Sequence, residues 1–148
     1  MLPKSGLYLL FIILLVLAVL TGYLFNWIND TFFHYSSGNN DLDSFSEPIK
    51  FLLIVVIAPL VETLFFQHLP YQVLTKLKIR NKLLLILTLS LIFGLFHLYF
   101  WLYAIMAFCG GILMNTLYIF SRHYSKYYFL IVVAYHSLYN LYGYLFVV

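Results

Sequence analysis

Four residues of this chain have side chains suited to hydrolytic chemistry: Glu62 in APLVETLFFQ, His97 in FGLFH, and His136 with Asn140 in HSLYN. A carboxylate can take a proton from water, while imidazoles and an amide can hold or polarise the carbonyl that the water attacks. All four fall in apolar stretches, where an ionisable group is costly and is a functional candidate by default. Alone, either histidine and still more Asn140 read better as hydrogen-bonding groups between helices, and only Glu62 reads equally well both ways. Three separate apolar stretches each carrying such a group is the stronger observation, because independent structural accidents would not place them at compatible depths.

The depths follow from a helical rise of about 1.5 Å per residue and an apolar core of about 30 Å. Glu62, 12 positions beyond Lys50, lies roughly 18 Å from the outer boundary. His136 comes out at about 16 Å and His97 at about 9 Å from the same boundary. His136 and Asn140 are four positions apart and share one helix face. Phe93 stands in the same relation to His97, where its ring can wall a pocket beside the imidazole. A desolvated Glu62 would then be the base that removes a proton from water as it attacks a peptide carbonyl.

Membrane helices must position these groups. Hydrophobic residues make up 64% of the 148 positions and charged ones only 9%, against roughly 25% charged in a soluble domain. Five runs are long enough to span a bilayer: Leu7 to Trp27, Ile49 to Leu69, Leu83 to Trp101, Tyr103 to Phe120 and Tyr127 to Val147. The expected fold is therefore all-α, a polytopic transmembrane helical bundle of about five spans in a single membrane-embedded domain. The first run exceeds the apolar region of a signal peptide and reads as a retained helix. Residues 29–48, with SSGNND and DLDS, read as one external loop and a solvated connector, with a cap over a site as the alternative.

Charge placement sets the orientation. Lys4, then Lys76, Lys78, Arg80 and Lys82, then Arg122 and Lys126 alternate onto one side of five spans, with Asp30, Asp41, Asp43 and Glu47 on the other; only Lys50 breaks the pattern, and it can snorkel at a helix end. Basic residues near span ends stay cytoplasmic, so the N-terminus is expected inside and the C-terminus outside, most simply in the cell membrane. The net charge of +3 then faces anionic lipid. No basic patch interleaved with aromatics supports nucleic-acid binding. The lone Cys109 excludes an intramolecular disulfide, and FCGG reads as small residues for close helix approach. His34, His123 and His68 stay outside the expected site, the first two as solvated residues and the third because it points away from the Glu62 face.

In order, these motifs resemble the CAAX prenyl protease type II and bacteriocin-processing (CPBP, or Abi) intramembrane proteases. That family's pattern is EExxxR on one helix, FxxxH on the next and HxxxN or HxxxD on a later one. The match runs from about Ile49 to Tyr144, within a family-like catalytic core of residues 49–148 that follows the first helix (1–28) and the loop (29–48). The resemblance implies an intramembrane endopeptidase in which Glu62 activates water, while His97, His136 and Asn140 bind or polarise the scissile carbonyl. It implies a membrane-associated peptide or prenylated protein as substrate, in contact with membrane lipid. With neither an HExxH pair nor a thiolate, a metal such as zinc would have to use Glu62, His97 and His136 from separate helices.

The first motif departs from the family pattern. Thr63 stands where the second Glu belongs and Gln67 where the Arg belongs, so both charges of a supporting pair are gone together. Neither replacement leaves an unpaired charge, and both side chains keep the capacity to hydrogen-bond. The departure keeps a second reading open, a catalytically inactive member acting as a membrane binding, immunity or scaffold protein. A third, a small proton or metal transporter, would need access paths from both sides.

Overall fold

The computed structural model describes residues 4–35, Leu42 and residues 44–147. Its regular elements are all helical: α1 (Lys4–Ile28), α2 (Glu47–Lys76), α3 (Lys82–Leu95), α4 (Trp101–Ser121) and α5 (Tyr128–Phe146). Four of them are long and apolar enough to cross a membrane, and α3 is a shorter apolar helix of 14 residues. Large apolar side chains such as Ile12, Val16, Leu20, Leu91 and Leu130 are exposed around the bundle. Lipid covers such a surface at no cost, which is why these helices are apolar on more than one face. Leu89, Leu117, Tyr118 and Val132 fill the centre between α3, α4 and α5.

The closest packing joins α3 and α4, because glycines sit at the crossing. A Cβ on Gly94 would lie 3.0 Å from the carbonyl oxygen of Ala104, and one on Gly111 would lie 3.2 Å from Ser90 Cα. Small residues let backbones approach in the absence of a hydrophobic driving force. Asn81 starts α3 by accepting the Leu84 backbone N–H on its side-chain oxygen at 3.1 Å.

Helix α2 is wound unevenly. Pro48 sits in its first turn, where a missing N–H costs nothing. Pro59 and Pro70 fall inside it, and the backbone takes the wider π winding over Leu52–Ile57 and again over Thr63–His68, just ahead of each proline. The Ala58 N–H accordingly bonds Leu53, and that of Leu69 bonds Leu64, each reaching back five residues. The widening makes room for a ring that would clash with a carbonyl in a regular turn. Glu62 is the last residue of the α-wound segment between the two wide turns.

Several boundaries differ from the sequence expectation, and the second span runs on to Lys76 rather than ending at Leu69. The loop read as residues 29–48 is shorter, since the first helix continues in π winding over Asn29–Phe33 and α2 already begins at Glu47. Residues 36–41, the whole of SSGNND, lie outside the described residues, as do Asp43, Val148 and the first three residues. The third span ends at Leu95 rather than Trp101. His97 causes this, because its ring Nδ1–H donates to the Phe93 carbonyl at 2.7 Å and the backbone turns through residues 96–100.

Candidate active site

Helices α2 and α5 and the turn that follows α3 bring three of the expected residues together. His97 Nε2 and His136 Nε2 each lie 3.6 Å from the same Glu62 oxygen, Oε2. Their side chains are 13% and 6% exposed, while that of Glu62 keeps 23%, so the carboxylate is the least enclosed of the three. A gap of 3.6 Å is too long for a direct hydrogen bond and leaves room for a bridging water beside the pair.

The Phe93 carbonyl can only accept, so His97 Nδ1 carries a proton and, in the neutral ring, Nε2 presents a lone pair to the cavity. Phe93 packs against both imidazoles, with its ring centroid 4.2 Å from that of His97 and 5.8 Å from that of His136. His136 Nδ1 is buried with no hydrogen-bond partner.

Asn140 lines the same cavity, and its Nδ2 donates to the Ile54 carbonyl at 2.9 Å. That carbonyl needs a side-chain donor. The Ala58 N–H is diverted to Leu53, and the next donor along the wide turn would be Pro59, which has no N–H. Asn140 therefore pins α5 to the π turn of α2 and retains a second amide proton and its oxygen.

The cavity occupies about 100 Å³ and borders a larger one of about 200 Å³, with Tyr103, Met106, Tyr139 and Asn140 lining both. Two of these residues were missed as site residues. Tyr139, three positions after His136, follows the motif's own face and was legible from that spacing. Tyr103 reads in the sequence as an interfacial aromatic, and only folding places its ring 6.1 Å from that of His97.

Thr63 and Gln67 are fully buried and line neither cavity. Thr63 Oγ1 and both polar atoms of Gln67 lack hydrogen-bond partners, so the bonding capacity read from the sequence is unused. His68 lies elsewhere, with Nδ1 2.8 Å from the Tyr118 hydroxyl, beside an Arg122 guanidinium held against Tyr71 and Tyr128. His34 and His123 are exposed. Among the described residues, no group of three His, Cys, Asp or Glu side chains is placed to hold a metal ion, so the conditional zinc set of Glu62, His97 and His136 does not fit one.

A family model described as type II CAAX prenyl endopeptidase Rce1-like matches residues 44–142, well over half of the chain. The match includes the whole of α2, α3 and α4 and the part of α5 that carries His136 and Asn140. Comparison with curated proteins gives no match, and neither does comparison with solved structures.

Proposed function

The chain belongs to the type II CAAX prenyl endopeptidase Rce1-like family, and from that membership we propose that it is an intramembrane endopeptidase whose base is Glu62. The observation that carries this reading is the convergence of two imidazole nitrogens on one oxygen of Glu62. Glu62 takes a proton from a water that bonds both its Oε2 and an imidazole from beside the pair, and the water oxygen attacks the scissile carbonyl carbon. His136 and Asn140, four apart on α5, supply the donors that hold the developing oxyanion. The proton on Glu62 then passes to the leaving nitrogen as the C–N bond breaks. His97 orients the water, with its ring fixed by the Phe93 carbonyl.

The substrate in this reading is a membrane-associated protein or peptide, and the core that processes it is residues 49–148. The four long apolar helices make it an integral membrane protein, in our reading of the cell membrane with the N-terminus cytoplasmic. A second reading, an inactive member that binds a membrane partner as an immunity or scaffold protein, is favoured by one observation. Thr63 and Gln67 replace the charged pair of the family pattern and are left without hydrogen bonds.

The test is turnover of fluorogenic prenylated and unprenylated peptides by purified protein in detergent, with Glu62→Ala and Glu62→Gln as controls. Hydrolysis that both variants lose is the expected result. Equal turnover by the variants would remove Glu62 as the base, and no turnover of any peptide would favour the binding reading.

A further inference from the structure

Basic residues gather at one end of the bundle. Lys76 ends α2, Lys78 and Arg80 lie in the turn beyond it, Lys82 opens α3, and Arg122 and Lys126 lie between α4 and α5. No Asp or Glu follows Glu62 in the sequence, and Asp30, Asp41, Asp43 and Glu47 all fall from the end of the first helix to the start of α2, at the opposite end. Among the described residues, none of these cations forms an ion pair.

Aromatic rings hold them instead. Lys82 Nζ lies 5.3 Å from the ring centroid of Phe120, and Lys126 Nζ lies 5.0 Å from that of Tyr127. The half-buried Arg122 is fixed more firmly. Its Cζ is 4.4 Å from the ring centroid of Tyr71 on α2 and 4.6 Å from that of Tyr128 on α5, and its Nη1 donates to the Tyr118 hydroxyl on α4 at 3.4 Å. His68 Nδ1, 2.8 Å from the same hydroxyl, holds that group in place. Three helices thus position one guanidinium. Ring faces attract the cation without neutralising it or using its N–H groups, so most of its donors stay open among the described residues.

We infer that Arg122, with Tyr71, Tyr118 and Tyr128, forms a binding site for the phosphodiester headgroup of an anionic phospholipid. A guanidinium presents paired N–H groups that match two oxygens of a phosphate, and a side chain already ordered by rings loses little freedom on binding. The surroundings select a lipid over a dissolved phosphate. Val73 and Leu130, two positions from Tyr71 and Tyr128, are exposed and apolar, as are Leu77 and Leu83. Acyl chains can cover these side chains, from which a free phosphate would gain nothing. Lys82 and Lys126 add longer-range attraction for the anion at the same end. The inference does not depend on the proposed endopeptidase activity.

Native mass spectrometry of the full chain in a neutral detergent resolves bound lipids one at a time. Dioleoyl phosphatidylglycerol should bind about tenfold more tightly than dioleoyl phosphatidylcholine, the scale of one charge-assisted hydrogen bond. Arg122→Gln should abolish that preference, whereas Lys78→Gln and, at the far end, Lys50→Gln should each change it by less than about threefold. Thermal unfolding in the same detergent identifies any variant that has lost its fold. Phosphatidylglycerol carrying a diazirine near its glycerol backbone gives a reading that needs no variant, and its crosslinks to the unaltered chain are expected within residues 71–84 and 118–130. Glycerol 3-phosphate and inorganic phosphate at the lipid's concentration should not displace it. Equal binding of the two lipids, equal losses from Arg122→Gln and Lys78→Gln, or crosslinks confined to the Glu47 end of the bundle would overturn the site. Displacement by glycerol 3-phosphate or phosphate would overturn the lipid as its ligand.

Discussion

His97 donates its Nδ1 proton to the carbonyl oxygen of Phe93, the oxygen that the backbone N–H of His97 would have bonded had α3 continued. The backbone N–H turns instead to Gly94, at 3.0 Å. One ring thus ends the helix with one nitrogen and serves the cavity with the other. His97→Asn keeps a donor near Nδ1 and removes Nε2, so its thermal unfolding in detergent should fall within about 0.5 kcal/mol of the parent. His97→Ala should cost about 1 kcal/mol more, through the lost bond. Both should lose turnover by on the order of 10²–10⁴. Equal stability of the two variants would refute the capping role.

Thr63 and Gln67 present the opposite case, polar groups buried with nothing to bond. Thr63→Val and Gln67→Met remove those groups at similar volume, and each should leave stability unchanged or raise it by up to about 1–3 kcal/mol, with turnover kept. Gln67→Arg alone buries an unpaired charge and should cost about 3–5 kcal/mol. Adding Thr63→Glu, four residues away, should recover most of that loss through a pair along one helix face. Denaturant unfolding of the two singles and the double reads this directly. Strictly additive costs would show that the positions do not face one another.

The site was legible where chemistry is expensive. Glu62, His97, His136 and Asn140 stand out because apolar helices rarely carry such groups, and their spacing placed them on faces that the fold brings together in part. What the sequence hid was backbone detail. The apolar run through Trp101 conceals that the His97 ring ends α3 early, because hydropathy does not register a side chain that takes over a backbone bond. Pro59 and Pro70 announce irregularity in α2, yet the π turns that answer them depend on which carbonyl finds a donor. Tyr103 was hidden by its commoner role at a membrane interface. The FCGG stretch divides in the fold, with Gly111 making the close approach read from its size and Gly110 facing open space in the site cavity.

That division gives a stability contrast between neighbouring residues. A Cβ at Gly111 would press on the Ser90 backbone at 3.2 Å, so Gly111→Ala should destabilise by about 1–3 kcal/mol. Gly110→Ala meets nothing and should unfold within about 0.5 kcal/mol of the parent. Parallel thermal melts in one detergent decide it, and equal melting of the two variants would contradict the packing of α4 on α3.

Asn140 and Pro59 are coupled through a third group that belongs to neither. Pro59 has no N–H for the Ile54 carbonyl, the wide turn sends the Ala58 N–H to Leu53, and Asn140 Nδ2 fills the vacancy at 2.9 Å. Asn140→Ala should therefore cost about 1–3 kcal/mol, because it leaves a part-buried carbonyl unsatisfied. Pro59→Ala restores a backbone donor at the position that the winding requires. In the double variant the Ile54 carbonyl can bond within its own helix, so the penalty for losing Asn140 should shrink. The double-mutant cycle should give a coupling of about 0.5–3 kcal/mol, with the double more stable than the sum of the singles predicts. Independent effects would mean that the Asn140 amide is held by something other than the defect in α2.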